Sequence, residues 1–369
     1  MGPFSAKPPS LNGHLGVLIP GFAENEQDST CIPILQDYLA ALRHYHPGLR
    51  ISLVAFQYPF SKGHYFWKGI SVHSLGGQNR AGLRRWRTWR EARRTLLDIH
   101  RRDPLDLLHS FWLSECALVG QKISAQSGIP HLCSVLGQDA LPQNRYLGRF
   151  GPDLTITCGS QRSADQLKQS ADLPAKVIPM GIFPPHLPAP APVSPKKIDI
   201  LGVGSLVAVK NYGRFISLFA RLREQVPGLR GLIAGEGVER QILADQIARL
   251  GLQENLTLAG GQSRQQIGEL MQQSRILLHT ARYEGQCLAL WEALYYGLEV
   301  VTTPVGIAEN RPQMFCASGD GDLLARLRDL LGKAHQGEPH IVTDIRETLE
   351  KMCGLYEKLA PRLAGEAHQ

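Results

Sequence analysis

Two carboxylates stand at a spacing that could serve a single charged ligand. In the stretch ARYEGQCLALWEALYYG, Ala281 to Gly297, seven residues separate Glu284 from Glu292, and an apolar run from Cys287 to Trp291 lies between them. Buried carboxylates are costly unless hydrogen bonds or cations compensate them. The preceding RILLHTA reads as a strand, and a helix is expected to begin near Cys287. The N–H groups of Gly285, Gln286, Cys287 and Leu288 would then suit phosphate oxygens, with both acids aimed at hydroxyls on either side. On residue types alone, a helix with an acidic N-terminal flank and one solvent-facing acid explains the stretch equally well.

Other candidates also sit at strand ends. Lys210 follows the strand of LGVGSLVAVKN and could neutralise a phosphate; the third glycine of a dinucleotide fingerprint is absent, with Val207 in its place. AGEGVER brings Gly235 and Glu236 into a turn that permits close backbone approach, and LAGGQSR brings Gly261 and Gln262. Four such loops suggest a nucleotide held largely by backbone. In the first half His109 ends PLDLLHS, Gln138 and Asp139 end another strand in VLGQDA, and Gly21 ends the first. A histidine there could hydrogen-bond a substrate hydroxyl, or be satisfied by its neighbours. Asp320 and Asp322 form a D-x-D string, but an amphipathic helix follows directly, so helix capping accounts for both.

The elements that must carry these residues alternate: short apolar runs, then longer amphipathic stretches, the pattern of parallel sheets covered by helices. The texture breaks at FPPHLPAPAPVSPKK, which is too proline-rich for helix or central strand. The expected organisation is a first α/β domain over 1–183, a linker over 184–197, a second α/β domain over 198–343 and a closing helix over 344–369. In open α/β sheets ligands bind beyond the carboxyl ends of the strands, so two such domains are expected to face a central cleft.

Bulk properties narrow the classes. The 369 residues are 43% hydrophobic and 20% charged, suited to soluble domains, and no apolar run reaches membrane-spanning length. Seven cysteines occur without CxxC or zinc spacing, which reads as reduced thiols and no metal. The net charge of +7 concentrates between Gly76 and Asp103, where nine arginines face three acids. With Leu83, Trp86, Trp89, Leu96 and Leu97 interleaved, residues 80–102 form either an ordinary domain helix or one that touches an anionic membrane. No nucleic-acid motif accompanies the charge. The expected location is the cytoplasm, with peripheral contact at the inner face of the membrane left open by that helix.

From Ile198 to Leu331 the sequence resembles the retaining, nucleotide-sugar-dependent glycosyltransferases of family 4 (group 1). GVGSLVAVKNYGRFISLFARL, LIAGEGVERQILADQIARLGLQENLTLAGG and LLHTARYEGQCLALWEALYYGLEVVTTPVG follow the family's order, and Glu284 and Glu292 form its E-x7-E signature. Segments such as EQDSTCIPILQ, FQYP and LGQDA look typical of a bacterial subgroup. The resemblance implies a GT-B fold of two Rossmann-like domains with the C-terminal helix crossing back to the first. It implies transfer of a hexose-type sugar from a nucleoside diphosphate, UDP or GDP, to a carbohydrate or lipid-linked acceptor hydroxyl in cell-surface polysaccharide or glycolipid synthesis. No metal or other cofactor is implied. Glu284 would bind the donor sugar and Glu292 the ribose, while Lys210 and the backbone through Leu288 would hold the diphosphate. The base would lie near Gly261 and Gln262. Ser205 stands where the family carries an arginine, and Phe111 replaces the second histidine of an H-x-H-x-W segment that keeps His109. Those two departures motivate a second reading, a sugar-nucleotide-binding protein with weak or no turnover.

Overall fold

Runs rich in Val, Ile and Leu that are buried on both faces can only be inner strands of a covered parallel sheet. The computed structural model describes residues 11–191 and 195–364 and contains two such sheets. Pro192, Val193 and Ser194 of the proline-rich stretch lie outside the described residues. The chain divides into one unit of Met1–Gly181 with Ile345–Gln369 and another of Ile182–Asp344.

The first unit comprises β1 (His14–Gly21), α1 (Pro33–Tyr45), β2 (Arg50–Tyr58), β3 (Lys62–Trp67), β4 (Ile70–Leu75), α2 (Gly82–Arg102), β5 (Leu107–Phe111), α3 (Glu115–Ser127), β6 (His131–Val135), β7 (Thr155–Cys158), α4 (Gln161–Ala171) and β8 (Lys176–Val177). Its sheet runs β3-β4-β2-β1-β5-β6-β7-β8, with β1 aligned on both sides so that Val17 faces Leu53 and His109. All pairs are parallel except β3 with β4. This hairpin is not legible in the sequence: KGHYFW is a mostly exposed edge strand without a buried apolar face. The C-terminal helix Ile345–Leu359 belongs to this unit, where the Tyr356 hydroxyl lies 2.7 Å from that of Tyr38 on α1.

The second unit comprises β9 (Ile198–Val203), α5 (Tyr212–Arg223), β10 (Gly231–Ala234), α6 (Arg240–Arg249), β11 (Leu256–Gly260), α7 (Arg264–Gln272), β12 (Ser274–His279), α8 (Leu288–Tyr295), β13 (Glu299–Thr302), β14 (Met314–Cys316) and α9 (Asp320–Leu331). Its fully parallel sheet has the order β11-β10-β9-β12-β13-β14. Phe215 and Phe219 of α5 pack on Ile200 and Ile233 beneath it, and α8 buries Leu290, Ala293 and Leu294 on the other face. The chain builds outward from β9 in one direction and from β12 in the other. The crevice beyond these two neighbours is therefore the topological switch point, where such sheets bind ligands.

Two local expectations change. Gly319, not an acid, caps α9, and no side-chain cap bond is made. Asp320 and Asp322 lie in its first turn, favourable for the helix dipole, and Asp320 pairs with Arg214 at 2.7 Å. The proline-rich stretch is not free: the Tyr296 hydroxyl donates to the Pro188 carbonyl, the Ala191 N–H to Gln272 Oε1 and the Lys196 ammonium to the Gln272 carbonyl.

Candidate active site

Topology brings Lys210 and Glu284 together. Lys210 ends the short turn after β9, and Glu284 lies in the loop after β12, on the two strands flanking the switch point. Backbone bonds fix their loops to each other: the Arg282 N–H donates to the Val209 carbonyl at 2.8 Å, and Thr280 Oγ1 donates to the Asn211 carbonyl at 3.1 Å. In this frame Lys210 Nζ forms an ion pair with Glu284 Oε1, and His279 Nε2 reaches the same oxygen at 3.1 Å. Burial alone would raise the Glu284 carboxyl; the His279 hydrogen bond and the Lys210 charge outweigh it and leave it below its usual range. Burial likewise works against the Lys210 ammonium, and Glu284 reverses that into a raised value.

Glu292 is not on an exposed helix face. It is 8% exposed on α8, and Arg264 Nη2, at the start of α7, lies 2.8 Å from its Oε1. Each acid of the E-x7-E stretch thus has its own partly buried cation. Between them Cys287 takes a left-handed conformation (φ 73°) as the cap of α8, so the helix begins at Leu288, next to Cys287 as expected. Burial, then the charge of Glu284, pushes its thiol well above the ordinary range, and Glu292 adds in the same direction. One thiol feels both carboxylates, which ties the two acids to one locality.

The remaining loops approach backbone to backbone. A Cβ on Gly235, whose φ is 158°, would lie 1.9 Å from the Gly204 carbonyl oxygen, and the Gly235 N–H donates to the Gly260 carbonyl at 2.8 Å. The turns after β9, β10 and β11 are thereby stacked. Ser205 and Glu236 are exposed on this rim, Glu236 paired with Arg240 at 3.1 Å. Gly261 is also exposed, and Gln262 donates to the Ala259 carbonyl at 2.8 Å. Gly285 and Gln286 are buried, and the Gln286 carbonyl accepts from the Ile307 N–H at 3.0 Å.

In the first unit the expectation for His109 is overturned. The residue is fully buried within β5: Nδ1 lies 2.6 Å from the Tyr356 hydroxyl and Nε2 2.8 Å from Ser134 Oγ. Burial, then the neighbouring His131, holds its pKa well below the usual value, so it is a neutral core histidine. Phe111 is equally buried. Gly21 ends β1 opposite Tyr58. Asp139 binds the N–H groups of Leu113 and Gly137 at 2.8 Å each, and burial pushes its carboxyl up to about 6. With Gln138 it borders a cavity of about 660 Å³ that Gln57, Arg85, Glu115 and Tyr146 also line.

Sequence reasoning missed His279 and Arg264. His279 was findable, as the last residue of the strand feeding the Glu284 loop. Nothing local marks Arg264, which meets Glu292 only through the packing of α7 beside α8. His279, Glu284 and Cys287 present ligand atoms within 4.8 Å of one another, the set of three among the described residues able to hold a metal.

Two Rossmann-like parallel sheets with ligand loops at their carboxyl ends define the GT-B class, and the chain has this fold. Residues 187–341 match the family of glycosyl transferases group 1, and the second unit belongs to that family. The chain is similar to a subunit of human phosphatidylinositol N-acetylglucosaminyltransferase, 33% identical over 31% of this chain and 24% of that protein. It is also similar to the amylovoran biosynthesis glycosyltransferase AmsD of Erwinia amylovora, 31% identical over 29% of each. It thus spans about a quarter of the length of these curated relatives. Among solved structures, HepE of Anabaena in complex with UDP and glucose is similar over 95% of this chain and 96% of that one, with a TM-score of 0.64 and 17% identity.

Proposed function

We propose that this protein is a retaining, metal-independent glycosyltransferase that moves a hexose-type sugar from a nucleoside diphosphate sugar to an acceptor hydroxyl. The observation that carries this reading is the pair of acids at the switch point of a group 1 unit, each held by its own cation beside three backbone-lined loops. HepE binding UDP and glucose favours a UDP-sugar donor. Glu284 accepts from hydroxyls of the donor sugar, Glu292 from those of the ribose, and the base lies along Gly261 and Gln262. Negative charge builds on the departing diphosphate, where Lys210 and nearby N–H dipoles stabilise it. Once a sugar hydroxyl engages Glu284, the Lys210 ammonium is released to serve the phosphate. The acceptor hydroxyl attacks from the face the nucleotide leaves, and a donor phosphate oxygen takes its proton.

AmsD, named for amylovoran biosynthesis, supports a place in cell-surface polysaccharide or glycolipid synthesis. The acceptor belongs to the first unit's strand-end cavity beside Gln138. On α2, Leu83 and Trp86 are 78% and 55% exposed among arginines, which favours peripheral contact with an anionic membrane at the cytoplasmic face. No helix among the described residues is long and apolar enough to cross a membrane.

The exposed Ser205 and buried Phe111 favour a second reading, a sugar-nucleotide-binding protein without turnover. Equilibrium binding and nucleotide release with UDP-, GDP- and ADP-sugars separate the two. Release with one donor supports the enzyme; tight binding with no release or transfer to any carbohydrate acceptor supports the binder.

A further inference from the structure

The loop that presents Glu284 also presents two ligands of a different chemistry. His279 Nε2 lies 3.1 Å from Glu284 Oε1 and 3.4 Å from Cys287 Sγ, and all three atoms fall within 4.8 Å of one another. A tetrahedral zinc ion with bonds of about 2.0–2.3 Å separates neighbouring N, O and S ligands by roughly 3.3–3.6 Å. The two separations from His279 need to open by only a few tenths of an ångström, and the third pair lies within 4.8 Å. The donors are also held in place. His279 is the final residue of β12, and its carbonyl accepts from the Thr303 N–H at 3.0 Å. Cys287 follows Gln286, whose carbonyl binds the Ile307 N–H, and a Cβ on Gly306 would lie 2.1 Å from that oxygen.

We propose that His279, Glu284 and Cys287 form an inhibitory site for a thiophilic divalent cation of the zinc class, whose occupancy and donor binding exclude each other. The ligand set chooses the ion: one nitrogen, one sulfur and one carboxylate suit zinc, whereas magnesium and calcium require oxygen shells. The charge balances. Glu284 and the Cys287 thiolate neutralise the ion, and the thiol proton passes to solvent. The Nε2 proton of His279 is exchanged through solvent so that Nδ1 carries the proton of the neutral ring, and the metal displaces the Lys210 ammonium from Oε1. A fourth position is left to water. Exclusion follows from sharing one carboxylate: the ion and its bound water take the space beside Glu284 that a sugar hydroxyl would occupy, and the ion draws off the charge that makes the carboxylate a strong acceptor. The metal site itself is independent of the transferase reading. The exclusion rests on that reading, because it assigns Glu284 to the donor.

Two measurements on the metal-free full chain keep these parts distinct. The first titrates Zn²⁺ against a chromophoric chelator and Co²⁺ by absorption, in the native protein and in Cys287→Ala, Cys287→Ser and His279→Ala. The expected result is one ion per chain, with a thiolate-to-cobalt band that both Cys287 variants abolish. Affinity falls in every variant by more than the roughly 10–100-fold that losing an outer-shell partner costs. Circular dichroism checks that each variant is folded. No ion bound, or binding unchanged in folded Cys287→Ser and His279→Ala, overturns the site. The second repeats the Zn²⁺ titration with saturating UDP-sugar, expected to weaken metal binding at least tenfold. Unchanged metal affinity overturns the exclusion, and donor titration of the metal-free protein then judges the role of Glu284 separately.

Discussion

At the scale of single residues, the central feature is that neither acid of the E-x7-E stretch is left to water. Glu292 shares its carboxylate with Arg264 at 2.8 Å, so the arginine fixes the side chain proposed to receive ribose hydroxyls. Glu292→Ala should weaken nucleotide binding by roughly 10–100-fold, the worth of hydrogen bonds to a charged group, with little change in turnover at saturation. Arg264→Ala should weaken nucleotide binding in the same sense, read by calorimetric titration with UDP. The pair at Glu284 and Lys210 adds a pH signature. The folded pKa of Glu284 lies below its ordinary 4.5, so its stabilisation is present above 4.5 and lost as pH falls through the folded value. The folded pKa of Lys210 is raised above 10.5, so its share is present below 10.5 and lost as pH rises through the folded value. Lys210→Met should cost stability near neutral pH, less than the ~3–5 kcal/mol for breaking a fully buried pair, because the pair is only partly buried and His279 still holds Glu284. Urea denaturation reads that loss.

At the scale of elements, strand ends position everything, and their close packing is testable. Gly235→Ala forces a Cβ against the Gly204 carbonyl and strains a backbone at φ 158°. It should destabilise the protein by ~1–3 kcal/mol and reduce nucleotide affinity through the displaced turn, measurable by thermal melts with and without UDP. Strands with buried apolar runs, such as RISLVAFQY and RILLHTA, were legible in the sequence because parallel sheets bury both faces. The β3–β4 hairpin was not, since an exposed edge strand carries no periodic apolar signal. The same contrast governs the histidines. His109 and His279 both stand at or near strand ends, yet one is locked into the core by Tyr356 and Ser134 and the other lies on Glu284. Sequence position alone could not separate them, because the C-terminal helix that supplies Tyr356 lies 247 residues away in the chain.

At the scale of the whole molecule, the two units differ in how they answer acid. Burial holds His14, His46, His73, His109 and His131 of the first unit below the ordinary histidine value, His73 at about 4 and His131 at about 3. In the second unit burial likewise lowers His335. A depressed histidine makes the unfolded chain bind more protons, so its stabilisation is present above about 6.5 and drains as pH falls toward the folded value. Asp139, raised to about 6, works the other way over part of this interval and offsets one histidine. The first unit should therefore lose hydrogen-exchange protection before the second between pH 6.5 and 4.5. Equal loss in both would contradict the assignment of neutral buried histidines.

The donor site itself is tested most directly by nucleotide release. The wild type and Glu284→Ala are compared at saturating UDP-sugar, with UDP affinity measured in parallel. The expected result is that Glu284→Ala keeps UDP affinity within about threefold while release and transfer fall about 100-fold. Turnover unchanged by the substitution, in a protein that still binds UDP, would contradict the assignment of Glu284 to the donor sugar.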